Sequence, residues 1–172
     1  HTIRAYFQIL EDTLIGFFLF PFSKSKRTRL TKHPKFYFFD GGVVRAITKK
    51  ITVPVEPKTV EFGYAFEALI INEVIRMDSY AMLDFELSFF RTEHETEVDL
   101  VIETPAGKLL AIECKGADLI QSKHVTGLRL FGSEFPHARL GVVCLESKPR
   151  CVDGIDIIPW KQLGAWIKTH SH

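Results

Sequence analysis

The chain has 172 residues, of which 46% are hydrophobic and 25% charged, enough to bury the core of one compact domain or of one domain with a small appendage. Fifteen phenylalanines and little low-complexity sequence exclude a disordered chain, and a net charge of +1 excludes a global field that would recruit nucleic acid. Nucleic-acid binding, if present, has to come from local patches.

Residues 2–10 have a helical period, with Ile3, Tyr6, Phe7 and Leu10 on one face. No helix-starting signal precedes them, so the chain is expected to be a piece of a longer protein. The apolar run from Leu14 to Phe22 contains Gly16 and Pro21, and is far shorter than the ~20 residues a membrane span needs. It follows a polar amphipathic segment, which argues against a signal peptide. Within it, residues 14–20 are expected to form a strand, and Lys35 to Phe39 a second one ending at the turn Asp40-Gly41-Gly42. Between them, residues 23–34 carry Lys24, Lys26, Arg27, Arg29 and Lys32 with no acid. Helix, strand, basic loop, strand matches the tail of a winged helix whose wing contacts phosphate; a solvated hairpin tip explains the same pattern.

Residues 42–50 are expected to form a short helix and 51–60 a linker containing Pro54 and Pro57. A longer helix follows over 61–77, its stripe made by Phe62, Phe66, Leu69, Ile70, Val74 and Met77, with Asn72 and Arg76 toward solvent. Strands are expected over 82–91, 97–103, 108–115, 138–146 and 155–159, and helices over 121–131 and 160–168, the last closing the core with Trp160 and Trp166. From residue 61 this order gives an α/β domain with a mixed central sheet flanked by helices. Three scattered cysteines without a Cys-x-x-Cys pair suit a reduced, cytoplasmic protein. The histidines have no ligand spacing, and no Gly-x-x-x-x-Gly-Lys-Ser/Thr phosphate loop occurs, so this is not an ATP-binding module.

The unusual feature is charge inside two apolar strands joined by Thr104-Pro105-Ala106-Gly107. Alternation sets Asp99 on one face with Glu97 and Val101, and Glu113 with Lys115, leaving Cys114 on the other side. Glu97 and Glu103 are expected to be solvated near the strand ends. Two carboxylates and a lysine at the end of a hairpin suffice to hold a hard divalent cation and a water beside a phosphodiester. Glu67 lies at the edge of the stripe of helix 61–77, four residues after Gly63, which would allow close approach to the sheet. The bland explanation of these charges is a structural ion-pair network. Against it, burying unpaired charge costs several kcal/mol, and three acids beside one lysine leave surplus negative charge.

In this order, Glu67, Asp99 and Glu113-Cys114-Lys115 resemble the PD-(D/E)xK, restriction-endonuclease-like superfamily. The stretches 6–12, 35–41, 66–67, 97–99 and 112–115 together are similar to the C-terminal, DUF4143-type region of prokaryotic AAA-type ATPases. The resemblance implies a partial winged-helix segment over 1–50 and a nuclease-like domain over 61–172. It implies Mg²⁺ or Mn²⁺ on Asp99 and Glu113, with the Cys114 carbonyl as a further ligand and Glu67 acting through water. Lys115 would activate the attacking water, making Glu67, Asp99, Glu113 and Lys115 the catalytic set. Val98 stands where the motif usually has Pro, and Gln121 is followed by Val125 where some relatives carry Tyr; Gln121, Lys123 and His124 still suit a phosphate. The implied function is DNA phosphodiester hydrolysis on a chain shared with an ATPase. The alternatives are a non-catalytic DNA- or protein-binding module of that ATPase, or oligomerisation through the Phe-rich N-terminal hairpin.

Overall fold

The structure, a computed structural model, describes residues 3–23, 33–92 and 96–171. Among them, helices α1 (Ile3–Asp12), α2 (Gly41–Ile47), α3 (Val60–Ala81), α4 (Thr126–Glu134) and α5 (Leu163–Ser171) flank an eight-stranded sheet. Its strands are β1 (Gly16–Pro21), β2 (Lys35–Phe38), β3 (Glu86–Arg91), β4 (Glu97–Glu103), β5 (Leu109–Lys115), β6 (Arg139–Cys144), β7 (Arg150–Val152) and β8 (Ile155–Pro159). Their order in the sheet is β2-β1-β3-β4-β5-β6-β8-β7. Pairings β1–β3, β5–β6 and β6–β8 are parallel and the rest antiparallel, so the fold is α/β around a mixed sheet.

Each face of the sheet buries its own core. Phe66, Ile70, Ile71 and Val74 of α3, with Leu163 and Ile167 of α5, cover Leu100, Ile102, Leu110, Ile112 and Val143. On the other face, Leu128 and Phe131 of α4 cover Val98, Val101, Ala111, Val142, Ile155 and Ile157. Each fully buried side chain of this kind contributes about 1.5–3 kcal/mol, so α3 is held mainly by its packed face.

The register explains an exception to strict alternation. Ser88 pairs with Val101 and Phe90 with Val98, so two residues of β4, Asp99 and Leu100, stand opposite the single Phe89. This is a bulge. It turns Val101 onto the α4 face while Leu100 and Ile102 face α3, so Asp99 does not share its face with Val101 as simple alternation predicts.

Other expectations are corrected. In α3, Leu69 is exposed, Ile71 is fully buried, and Asn72 is buried rather than solvated. Asn72 Nδ2 reaches the Phe38 carbonyl (3.1 Å) and that of Ala68 (2.9 Å), tying α3 to β2. The helix begins at the Thr59 cap, whose hydroxyl accepts from Phe62 N, and runs on to Ala81. Met82 then ends it in a left-handed conformation (φ 49°), and Asp84 repeats that sign, so the next strand starts at Glu86 and not at 82. Residues 121–131 divide into a 3-10 turn (Ser122–Val125) and α4. The additional strand β7 pairs with β8 across Asp153-Gly154, both with positive φ, the two-residue turn of a tight hairpin. Trp160 is 37% exposed beneath Lys161 and does not close the core; Leu163 and Ile167 do, while Trp166 is half-buried with its Nε1 donating to Asp156.

Candidate functional site

The β4–β5 ladder runs from Glu103–Leu109 to Leu100–Ile112. Just past that last pair lies Asp99, displaced by the bulge, and its Oδ2 accepts the backbone N–H of Cys114 at 2.8 Å. The carboxylate thus takes the place of a ladder partner where the two strands part. Lys115 Nζ lies 2.5 Å from Glu113 Oε1 and 4.0 Å from Asp99 Oδ2. Asp99, Glu113 and Lys115 therefore meet at one end of the hairpin. Asp99 and Glu113 are buried, at 7% and 8% exposure, and Glu113 Oε2 is shielded from solvent without a hydrogen-bond partner among the described residues.

The other oxygen of Asp99 faces a second group. Lys35, the first residue of β2, is bonded to Glu97 and lies 3.0 Å from Glu67 Oε1 and 4.0 Å from Asp99 Oδ1. The Tyr37 hydroxyl donates to the same Glu67 oxygen at 2.5 Å, and Arg91 Nε donates to Glu97 Oε2 at 2.7 Å. Carboxylate oxygens of Glu67, Glu97 and Asp99 lie within 4.8 Å of one another, a spacing that suits a hard cation. Asp99 bridges the two groups, giving one network of four carboxylates and two ammonium groups.

The electrostatics follow from this crowding. Burial pushes the Asp99 carboxyl up, and the Glu67 charge adds to it, against Lys115, the Cys114 N–H and Lys35. Burial, then Asp99, push Glu113 up to about 8, against the opposing pull of Lys115. Burial lowers Lys35 and Lys115, but their acidic neighbours outweigh it and hold both above the ordinary lysine value. The Tyr37 phenol is raised, by burial first and then by Glu67. The pair Asp99 and Glu113 therefore resists carrying two negative charges without a further cation.

Two residues of this network lie outside the set read from the sequence. Glu97 is part of the cluster, which corrects its placement as a solvated strand-end residue; Arg91 and Lys35 hold it there. Lys35 comes from β2, 32 positions before Glu67, and nothing in its local pattern marks it. Glu67 joins through Lys35 and Tyr37. Gly63 has open space around it, so it provides no close approach. That role falls to Gly116, where a Cβ would lie 2.6 Å from the Phe62 ring, and to Gly127 of α4, where a Cβ would lie 2.1 Å from the Glu97 carbonyl oxygen.

Of the residues read as binding nucleic acid, Lys24, Lys26, Arg27, Arg29 and Lys32 lie outside the described residues. Gln121, at the N-cap, and Lys123, on the 3-10 turn before α4, are both exposed. Partial burial, then the charges of Lys123 and Lys115, lower His124, which sets this turn within electrostatic reach of the Lys115 end of the network. Among the described residues, no helix is long and apolar enough to cross a membrane. Cys114 and Cys144 are buried free thiols and Cys151 an exposed one.

No curated protein and no solved structure matches the chain. Residues 1–52, which carry Lys35 and Tyr37, match the model of a domain of unknown function (DUF8612). Residues 62–163 match that of another domain of unknown function (DUF4143), a span that includes Glu67, Glu97, Asp99, Glu113 and Lys115. With more than half of its length inside that second match, the chain belongs to the DUF4143 family.

Proposed function

We propose that this is a metal-dependent nuclease-like domain acting on DNA phosphodiesters, of restriction-endonuclease-like type, working beside an AAA-type ATPase. The observation that carries the reading is the buried, unpartnered Glu113 Oε2, set beside Asp99 and Lys115 where the hairpin strands part. The donor set fits Mg²⁺ or Mn²⁺: all oxygen, anionic and in surplus over the local lysines. Asp99 and Glu113 would hold the ion, with Glu67 and the Cys114 carbonyl as further donors. When bound, such an ion lowers the pKa of a water and polarises a phosphoryl oxygen.

The chain's own residues supply the rest. Lys115 carries a full positive charge beside both carboxylates, and its ammonium can orient a water and offset charge that develops on the phosphate. Asp99 is fixed by the Cys114 N–H, so its geometry is set before substrate arrives. Lys123 and Gln121 offer exposed polar groups for flanking phosphates. The restriction-endonuclease-like core and the ATPase context rest on the sequence resemblance, and the mixed sheet with its charged central hairpin is compatible with them.

Calorimetric titration of Mn²⁺ into wild type and Asp99→Asn tests the metal site, and incubation with several DNA forms and Mg²⁺ or Mn²⁺ tests cleavage. Binding lost in Asp99→Asn, with cleavage lost in Lys115→Ala, is the expected result. A Lys115→Ala protein as active as wild type removes the catalytic role. A second reading, a non-catalytic module that binds DNA or protein for the ATPase, is favoured by Lys35, which already compensates Glu67, Glu97 and Asp99. Salt-sensitive DNA binding without Mn²⁺ binding at millimolar metal selects it.

A further inference from the structure

We propose that Lys35 is a tethered cation that competes with the divalent ion, so that the N-terminal hairpin sets the metal affinity of the site. This inference rests on the metal-binding reading above. It begins from an arrangement that the DUF4143 match does not span: the ammonium of Lys35 contacts Glu67 and Glu97 and lies 4.0 Å from Asp99, the same three carboxylates whose oxygens are spaced for a cation. It also sits over the Phe89 ring, 5.3 Å from its centre, so a packed aromatic face supports the charge from the sheet side. Tyr37, on the same strand, donates to Glu67 and keeps that carboxylate turned toward β2.

The two cationic positions are not equivalent. Lys115 is bonded to Glu113 on the far side of Asp99, whose Oδ2 it faces, while Lys35 faces Oδ1. Even with both lysines in place, Glu113 Oε2 remains unpartnered. A divalent ion therefore has one reason to enter, the unsatisfied Glu113 side, and one obstacle, the ammonium already held by Glu67 and Glu97. Lys35 lies at the first position of β2, where its ladder partner Leu19 ends the pairing. Its four-carbon stem allows the ammonium to leave the carboxylates while the strand stays paired. Metal binding and the Lys35 ammonium then draw on two shared carboxylates, Asp99 and Glu67, so a change at Lys35 is read as a change in metal affinity.

The test is Mn²⁺ calorimetry on the metal-stripped whole chain, as wild type, Lys35→Met and Lys35→Arg. Removing a unit charge this close is expected to tighten Mn²⁺ binding roughly tenfold to a hundredfold in Lys35→Met, while Lys35→Arg keeps the wild-type affinity. Equal or weaker binding by folded Lys35→Met, with wild type still binding, overturns the competition and leaves the metal site standing. No binding by either protein overturns the metal reading and this inference with it. A measurement on the unaltered protein covers the case in which Lys35→Met does not fold. Mg²⁺ titration followed by NMR at the Lys35 side chain should move its ammonium signals with the same saturation as the heat of binding. Signals that stay fixed while Mg²⁺ saturates the site overturn the competition.

Discussion

Glu113→Gln should stabilise the metal-free protein above neutral pH, and the size of the effect follows from the burial of one carboxylate. Glu113 is pushed from an ordinary value of 4.5 up to about 8, by burial first and by Asp99 second. The folded state thus holds a proton that the unfolded state has lost between these two values. Stability falls as pH rises through this window, and the penalty is absent below it. A shift of this size corresponds to roughly 5 kcal/mol at about 1.36 kcal/mol per pH unit, an upper figure because Asp99 shares the same field. Allowing for that sharing, the amide should add about 2–4 kcal/mol at a pH of about 9 and close to nothing at a pH of about 5. For a domain of this length that is a rise in midpoint of roughly 5–12 °C. Denaturation in the presence of chelator, at steps from pH about 5 to about 9, measures it. Wild type should lose stability along the series and Glu113→Gln should hold it. With Mn²⁺ at about a hundredfold over its Kd, wild type should regain about 2.7 kcal/mol at the alkaline end, and the amide variant less. Parallel curves for the two proteins, or a Glu113→Gln protein weaker at alkaline pH, would refute the argument that this carboxylate is buried at a cost.

Other substitutions probe the scaffold that positions the network. Gly127→Ala drives a Cβ into the Glu97 carbonyl and should cost about 1–3 kcal/mol, read by denaturant titration, and weaken Mn²⁺ binding by displacing Glu97. Asn72→Leu removes the donor to the Phe38 carbonyl and should cost about 1–2 kcal/mol in the same assay. Tyr37→Phe leaves the ring packed but removes one of the two donors to the Glu67 oxygen, the other being Lys35, for a loss of about 1 kcal/mol in the same assay. Ile71→Ala opens a cavity in the larger core at about 3–4 kcal/mol, with no change in metal affinity per folded molecule.

Charge within apolar strands was the part of the site that local pattern could reveal. Asp99, Glu113 and Lys115 stand out because neighbours such as Leu100, Ile102, Leu110 and Ile112 are fully buried, and the hairpin pairing alone brings them toward one end of it. The strands and the long helix were legible for the same reason. Asp153-Gly154 also carried a readable hairpin signal, yet the three flanking residues of β7 are all exposed and offer no hydrophobic alternation to support it. The bulge at Asp99 and Leu100 is different in kind. It depends on which β3 residue each β4 residue meets, and that is a property of the pair of strands rather than of either one. Glu97 and Lys35 follow from the same distinction. An acid at a strand end and a lysine after a proline both look solvated by themselves. They become a partly buried ion pair because β1 pairs with β3, which carries the β2 end of the N-terminal hairpin to the flank of α3 and over Phe89. Local periodicity can therefore report a residue that must be compensated, but the compensating partner is set by sheet order. Asp99 illustrates the limit: one of its oxygens answers to a lysine on its own hairpin, and the other to a lysine whose place only the topology of the whole sheet decides.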